Sequence, residues 1–289
     1  MSIDDRPAPH WFTDALAQPG AEGRVEVDGA TIVYRAWGEP DTPGIVLIHG
    51  GMAHLHWWDH IAPFLATDRR VVALDLGGHG DSERRDDYRF EQFIDEVLAV
   101  ARAGRIAGPP VLVGHSMGGI VAYAAAVRCP EELDGIVVFD SPIRDLTPEE
   151  RELRASQTTH TPRVYPSLDD ALARYRLVPA QDHAEPYIVE HIARLSLTEV
   201  DGGWGWKFDH LRMGRSDSRS LDGTTAGTRV AFFRSENGIV DDELMARMRP
   251  MFGPDAWIVE LPEAGHHPMF DQPLAMVTGI RTVLAAWRR

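Results

Sequence analysis

Cysteine is nearly absent from this sequence of 289 residues: Cys129 is the only one, so no disulfide can form within the chain. The sequence also has no excess of basic residues: its 44 acidic residues outnumber its 29 lysines and arginines and give a net charge of −15. Nucleic acids and anionic membranes would be repelled by that charge, so neither is expected as a partner. A lone cysteine is also typical of proteins that work in a reducing compartment.

Long apolar segments are missing too. No run of apolar residues approaches the roughly 18 residues that would cross a bilayer. The first residues, MSIDDRPAPHWF, have neither the basic start nor the apolar run of a secretory signal. Together with the lone cysteine, these features predict a cytoplasmic protein. Its apolar share of 44% is that of an ordinary globule, large enough for an ample core, and a monomer or a homodimer is expected.

Short apolar runs alternate with helical patterns along most of the chain. Two alternating runs surround Asp28 and Gly29 and predict a hairpin. Six further runs are typical of buried strands, at residues 44–50, 70–76, 110–116, 135–141, 228–235 and 256–265. Helical spacing predicts helices over residues 90–101 and 273–287. The alternation indicates an α/β fold with a doubly wound, mostly parallel, eight-stranded sheet.

Residues 142–226 interrupt this alternation. They lack strand signals and carry helical patterns such as LDDALARYRL and EPYIVEHIARLSL. An insertion of this size between two strands predicts a helical cap, or lid, and leaves residues 1–141 and 227–289 as the core. Trp204 and Trp206 in the insertion are expected either to line a substrate pocket or to fill the interior of the cap.

The segment VLVGHSMGGIVAYAAA contains a Gly-x-Ser-x-Gly sequence between a buried strand and an alanine-rich helix. Such a context predicts a sharp turn that lifts Ser116 out of the sheet, with Gly114 and Gly118 leaving room for the turn. The N-terminus of the following helix favours negative charge at this point. Ser116 is therefore the candidate nucleophile.

The serine turn and three further motifs resemble those of the α/β-hydrolase fold superfamily. Among its members, the chain is most similar to the branch with a serine nucleophile, which contains esterases and lipases. HGG at residues 49–51 is similar to the family's oxyanion loop. LDLGGHGDS at 74–82 resembles the family's Asp-x-x-Gly-x-Gly-x-Ser, and AGHHPMFDQP at 264–273 resembles its histidine loop. The resemblance covers residues 22–289 and implies the α/β-hydrolase fold with a cap inserted after the sixth strand.

The resemblance also implies roles for single residues. Ser116 would be the nucleophile and His266 the base that takes its proton, since a serine hydroxyl alone is a poor nucleophile. The backbone N–H groups of Gly51 and Met117 would form the oxyanion hole, where each donor contributes roughly 3–4 kcal/mol to the transition state.

Three other histidines lie inside the same motifs and are interpreted as structural: His49, His115 and His267. A metal site at the adjacent pair His266 and His267 is not expected, because neighbouring side chains should point apart and no Asp or Glu completes a ligand set. No metal and no cofactor are therefore expected.

The carboxylate that should support His266 is missing from its usual place. The seventh strand runs into Ser-Glu-Asn-Gly, and Asn237 carries no charge, a change that costs about 10⁴ in kcat in a serine protease. Two acids keep the chain order of serine, acid and histidine: Asp140 after the sixth strand, and Glu236 beside the usual position. One group of haloalkane dehalogenases, with a similar seventh-strand end, takes its acid from the sixth strand. Asp140 is therefore preferred over Glu236.

A serine nucleophile implies acyl chemistry, namely hydrolysis of a small-molecule carboxylic ester, thioester or lactone through an acyl-enzyme. Trp57, Trp204 and Trp206 are the candidates for the walls of the substrate pocket, although Trp57 could equally belong to the core behind a helix face. Aromatic walls favour a small to medium apolar ester. Two alternatives stay open. The same triad could cleave a carbon–carbon bond in β-diketones or ring-cleavage products, and a chain without the usual aspartate could be a non-catalytic, ligand-binding homologue.

Overall fold

A computed structural model describes residues 7–150, 152, 163–209 and 220–288. Its strands are β1 (Ala21–Val27), β2 (Ala30–Trp37), β3 (Gly44–Ile48), β4 (Arg70–Leu74), β5 (Val111–His115), β6 (Gly135–Phe139), β7 (Leu197–Val200), β8 (Gly203–Trp206), β9 (Val230–Asn237) and β10 (Trp257–Gly265). Eight of them form one sheet in the order β1-β2-β4-β3-β5-β6-β9-β10. Within this sheet β2 pairs antiparallel with both of its neighbours, and the other pairings are parallel.

Helices cover both faces of this sheet. They are α1 (His10–Leu16), α2 (Ala62–Leu65), α3 (Phe90–Ala103), α4 (Met117–Arg128), α5 (Leu168–Leu172), α6 (Pro186–Leu195), α7 (Asp242–Met248), α8 (Pro268–Asp271) and α9 (Pro273–Trp287). One apolar cluster joins the sheet to α3, α4 and α7, and a second joins its other face to α1, α2 and α9. The predicted doubly wound α/β fold is confirmed.

The central strands explain why the sequence favours this arrangement. Every residue of β3, β5 and β6 is buried, as expected for parallel strands that are covered on both faces and therefore consist of continuous apolar runs. Because these strands are parallel, their carboxyl ends meet at one edge of the sheet. The loops that leave this edge carry the candidate site residues.

The insertion between β6 and β9 differs from the sequence prediction. Its described residues form α5, α6 and an antiparallel hairpin of β7 and β8, so the expectation that strands are absent is wrong. Thr, Val and Trp favour strands, and the turn contains Asp201 and Gly202, the latter with a φ of +84°. Residues 151, 153–162 and 210–219 of the proposed cap lie outside the described residues, and the cap boundaries stay a prediction.

A helix must be both long and apolar to cross a membrane. In the described ranges no helix is both long enough and apolar enough to span a bilayer.

Candidate active site

The nucleophile turn stands between β5 and α4. Ser116 has a φ of +51° and a ψ of −118°, a strained conformation that non-glycine residues rarely adopt. The Ser116 N–H donates to the Phe139 carbonyl (3.1 Å), and its own carbonyl accepts from Gly119 (3.0 Å) and Ile120 (3.1 Å). These bonds hold the strained serine at the start of the helix.

Two glycines make this turn possible. A Cβ atom added to Gly114 would overlap the Gly118 carbonyl, and one added to Gly118 would overlap the Ile48 carbonyl of the neighbouring strand. The chain therefore passes closer to itself and to β3 than any side chain would allow. This close packing is the physical reason for glycine on both sides of Ser116.

Three side chains from three loops meet at this edge of the sheet. His266, directly after β10, places Nε2 3.1 Å from Ser116 Oγ and Nδ1 2.7 Å from an Asp140 carboxylate oxygen, Oδ2. With Asp140 ionised, His266 Nδ1–H donates to its carboxylate, so the unprotonated Nε2 can accept the serine proton. The histidine is 3% exposed and Asp140 is fully buried. The arrangement can therefore pass a proton from the serine to a charge-stabilised imidazole.

The loop after β9 encloses Asp140. The Ile239 N–H donates to Asp140 Oδ2 (2.8 Å), and a Cβ atom added to Gly238 would overlap the same carboxylate. This loop is the place where the family's usual acid is expected. Here it supplies a hydrogen-bond donor and the space for an acid that comes from the adjacent strand.

Glu236, the competing acid, points elsewhere. Its side chain is exposed, and its Oε2 accepts a hydrogen bond from the Glu263 N–H (2.8 Å). Asn237 is exposed as well. The structure thus brings Asp140 to His266 and leaves Glu236 outside the site.

The two candidate oxyanion donors also lie together. A Cβ atom added to Gly51 would be 3.8 Å from the Met117 sulfur, so the two residues are in close proximity. Met117 is the first residue of α4, where an N–H has no acceptor inside the helix. Within the described chain, neither N–H donates to a backbone carbonyl. Both N–H groups therefore remain candidates for binding a substrate oxygen.

Buried histidines fix the loops around these groups. His115 donates to the His266 carbonyl (2.8 Å), and burial holds the pKa of His115 well below its ordinary value, so the ring is neutral. His49 bonds the Gly50 carbonyl through Nδ1 (2.7 Å) and accepts from the Leu76 N–H (3.0 Å). Burial lowers the pKa of His49 to about 4. These contacts suit the structural roles expected for both residues.

The contacts of His267 are likewise those of a structural loop residue. Its Nε2 bonds the Pro179 carbonyl (3.2 Å), its backbone N–H donates to Gln181 Oε1 (2.8 Å), and burial lowers its pKa to about 3. Neither ring nitrogen of His267 is bonded to Ser116 or Asp140 in the described structure.

A potential metal-ligand cluster arises from the same histidines. His115, His266 and His267 each place a ring nitrogen within 4.8 Å of the others. The rings of His266 and His267 lie 4.6 Å apart, so the expectation that their side chains point apart is wrong; the chain turns at His267, whose ψ is 74°. Both nitrogens of His266 already bond Ser116 and Asp140, so a bound cation would compete with the triad.

Similarity to known proteins identifies the family of this chain. The model of the alpha/beta hydrolase family matches residues 45–278. The chain belongs to this family. Its similar relatives include an esterase of Mycobacterium tuberculosis, 27% identical in an alignment 269 residues long that covers 89% of this chain and 88% of the relative. The sn-1-specific diacylglycerol lipase of Mus musculus is 26% identical over 261 residues, 86% of this chain and 83% of the lipase.

Solved structures agree on the fold of this α/β-hydrolase. An E-2-(acetamidomethylene)succinate hydrolase superposes with a TM-score of 0.77 at 20% identity, over 92% of this chain and 99% of that one. A thermophilic esterase from Thermogutta terrifontis superposes with a TM-score of 0.74 at 22% identity, over 93% and 100%. At such identities the likeness concerns the fold alone.

One cavity of the described structure lies beside Gly51 and is the candidate substrate pocket. It is a cavity of about 220 Å³ between the oxyanion loop and the described part of the insertion. Trp57 and Trp206 line it, as the sequence suggested. Trp204 does not: it pairs with Glu199 near the hairpin tip, whereas Trp206 pairs with Leu197 at the base, two residues or roughly 7 Å further along β8.

Sequence reasoning missed several polar residues of this cavity. Arg174, Tyr175, Arg176 and Lys207 all line it, together with His54. Four of the five come from the insertion, whose sequence carries no recognisable motif. A concentration of basic residues with no acid between them, in ARYRL, was the one available signal.

Proposed function

We propose that this protein is a serine hydrolase that cleaves a carboxylic ester, thioester or lactone through an acyl-enzyme. The continuous hydrogen-bonded chain from Ser116 through His266 to Asp140 is the observation that carries the proposal. Relatives named esterase and lipase, each matching this chain over more than four fifths of both lengths, support an ester as the bond cleaved.

In the first step, Ser116 Oγ attacks the substrate carbonyl carbon while its proton passes to His266 Nε2. The carbonyl oxygen becomes negative and is bound by the N–H groups of Gly51 and Met117. Asp140 stabilises the resulting imidazolium by its negative charge and does not itself become protonated. The helix dipole of α4 adds to the positive potential at this oxygen.

Collapse of the tetrahedral intermediate breaks the bond to the leaving alcohol or thiol, which takes the proton from His266. The acyl group is then held as an ester of Ser116. A water molecule gives its proton to His266 and attacks the same carbonyl, and the second collapse returns the proton to Ser116 and releases the acid. His266 is thus the proton acceptor or donor in every step of this mechanism.

The alternatives make different predictions. A carbon–carbon hydrolase would use the same three side chains, so only substrates separate it from an esterase. The non-catalytic alternative rested on the missing aspartate in the seventh-strand loop, and Asp140 beside His266 removes that reason.

The proposal is tested with p-nitrophenyl esters of increasing chain length and with a dienol-type ring-cleavage product. Hydrolysis of short esters that is abolished in Ser116→Ala, and retained in the exposed-serine control Ser220→Ala, is the expected result. Faster turnover of the dienol than of any ester would favour carbon–carbon cleavage. No turnover of either class by the wild-type protein would favour the ligand-binding alternative.

A further inference from the structure

Positive charge collects at the cavity of this acidic protein. Its lining includes three basic side chains, Arg174, Arg176 and Lys207, and no acidic one among the described residues. The chain as a whole has a net charge of −15, and Lys207 is its only lysine. A random sample of such a surface would contain more acids than bases. The lining of the cavity is therefore positively charged, whereas the molecule as a whole is negatively charged.

The two arginines lack acidic partners in the described structure. Arg176 donates through Nη1 to the carbonyls of Ala173 (3.1 Å) and Tyr175 (2.6 Å), which leaves its positive charge uncompensated. Arg174 forms no ion pair with a described residue and is exposed. Lys207 differs, because its Nζ contacts Asp81 (2.7 Å) while its side chain is only 15% exposed. Arg174 and Arg176 thus supply most of the unbalanced charge.

Unsatisfied donors accompany this charge. The hydroxyl of Tyr175 and the indole N–H of Trp57 are both buried and have no hydrogen-bond partner in the described chain, and both residues line the cavity. Burial raises the pKa of Tyr175, so its hydroxyl keeps the proton and remains a donor. A buried donor without an acceptor is destabilising, and an anionic ligand oxygen is the kind of strong acceptor that these two donors lack.

We infer that the substrate carries an anionic oxygen group, a carboxylate or a phosphate, which binds on the Arg174, Arg176 and Lys207 side of the cavity. The ester carbonyl lies at the same time beside Gly51 and Ser116. This inference rests on the proposed function and narrows its substrate class. It replaces a wholly apolar ester with an acidic one, while Trp206 and Phe208 contact the apolar stem.

The cavity volume limits the size of this substrate. At about 220 Å³ it is smaller than the roughly 300–1,000 Å³ of pockets that hold drug-sized ligands. A short dicarboxylic half-ester or a small acyl thioester with a phosphate at the far end of its thiol fits this description. The first places the anion on the acyl side, and the second places it on the leaving group.

A kinetic experiment distinguishes the two sources. Mono-p-nitrophenyl glutarate is compared with its neutral methyl ester, and 2-(acetylthio)ethyl phosphate is compared with 2-(acetylthio)ethanol. The expected result is a kcat/KM at least about tenfold higher for the anionic member of one pair, decreasing with added salt because exposed charges are screened. Preference in the first pair assigns the anion to the acyl side, and preference in the second assigns it to the leaving group.

Variants then locate the effect. Arg174→Gln combined with Arg176→Gln should reduce the anionic preference, the ratio of kcat/KM for the anionic and the neutral member of a pair, about tenfold. Arg194→Gln is the matched control, because Arg194 is exposed on α6 and pairs with Glu190 away from the cavity. Equal rates for both members of both pairs would overturn the inference while leaving ester hydrolysis, and so the proposed function, intact.

The single lysine provides a readout that is independent of activity. Reductive ¹³C-methylation of the Ser116→Ala protein labels Lys207 and the terminal amine, and methylation keeps the charge. Glutarate or 2-mercaptoethyl phosphate should shift the Lys207 NMR signal in a saturable way, and the double arginine variant should weaken that titration about tenfold. No shift with either anion, or the same titration in the double variant, would contradict the inference even if no ester were hydrolysed.

Discussion

Single residues decide whether the triad can work, and the acid is the most informative of them. Asp140 Oδ2 receives hydrogen bonds from His266 and from the Ile239 N–H. Asp140→Asn keeps the shape but removes the charge that stabilises the imidazolium, so kcat should fall by about 10³–10⁴ with little change in KM. Glu236→Gln should cost less than roughly tenfold. Steady-state kinetics with melting curves test both variants, and the reverse ranking would give the role to Glu236.

Gly238 offers a second test of the same acid. A side chain at this position would overlap the Asp140 carboxylate and move it away from His266. Gly238→Ala should therefore lower kcat by roughly 10²-fold, the effect of an error of about 1 Å in a catalytic group. Asn237→Ala, one residue earlier and exposed, is the control and should stay near wild type. Full activity in Gly238→Ala would mean that Asp140 does not need this space.

The two adjacent histidines are expected to differ sharply. His266→Ala removes the base and should reduce kcat by several orders of magnitude. His267 is neutral and bonds the Pro179 carbonyl, so His267→Ala should alter stability more than kcat. Rate measurements on both variants decide the question. A larger loss of kcat in His267→Ala would contradict the assignment of the base.

Residue positions were predictable only where a motif fixed them. Ser116 and His266 follow from short local patterns, and the structure places them in contact. The choice between Asp140 and Glu236 could not be made locally, since both acids end neighbouring strands. It depends on how the loop after β9 folds around a residue about a hundred positions earlier, and only the tertiary structure contains that information.

At the scale of secondary-structure elements, the sheet was predictable and the insertion was not. The eight predicted strands correspond to strands of the sheet, because continuous apolar runs and one Asp-Gly turn identify buried and hairpin strands. The hairpin of β7 and β8 was missed, because four-residue strands give weak periodicity and an adjacent helical pattern masks them. Its aromatic residues were consequently assigned to the pocket as a group.

This hairpin leads to a prediction with an internal control. Trp206 lines the cavity and lies 6.1 Å from the Tyr175 ring, whereas Trp204 does not line it. Trp206→Ala should change the preference between short and longer acyl chains by about tenfold, since a buried aromatic acts mainly through apolar area removed from water. Trp204→Ala should leave that preference unchanged. Chain-length series on both variants test this, and equal effects would contradict the difference in their positions.

At the scale of the whole molecule, burial of uncharged histidines makes stability depend on pH. Burial lowers the pKa of six histidines in the described chain: His49, His54, His60, His79, His115 and His267. Unfolded, each would take up a proton near pH 6.5; folded, His49 and His60 do so only near pH 4. Between these values the unfolded state binds more protons, so stability falls as the pH falls.

Two buried acids act in the opposite direction. Burial raises the pKa of Asp75 to about 6 and that of Glu96 to about 7, so their contribution to stability is lost as the pH rises through these values. Burial raises the pKa of the partly buried Asp271 as well, but six histidines outnumber these three acids, so the net effect is that stability falls as the pH falls. The melting temperature should therefore decrease steadily from pH 6.5 to pH 4.5, and His60→Gln should make the decrease less steep. A constant or rising melting temperature would contradict this.

The central claim is that Ser116 is the activated nucleophile of an ester hydrolase. Incubation of the intact protein with a fluorophosphonate, followed by peptide mass spectrometry, tests it most directly, because the probe reports both that a serine is activated and which one. The account predicts a single adduct, on Ser116, that is lost in Ser116→Ala and strongly slowed in His266→Ala. An adduct on another serine, or no adduct on a folded protein, would contradict the account.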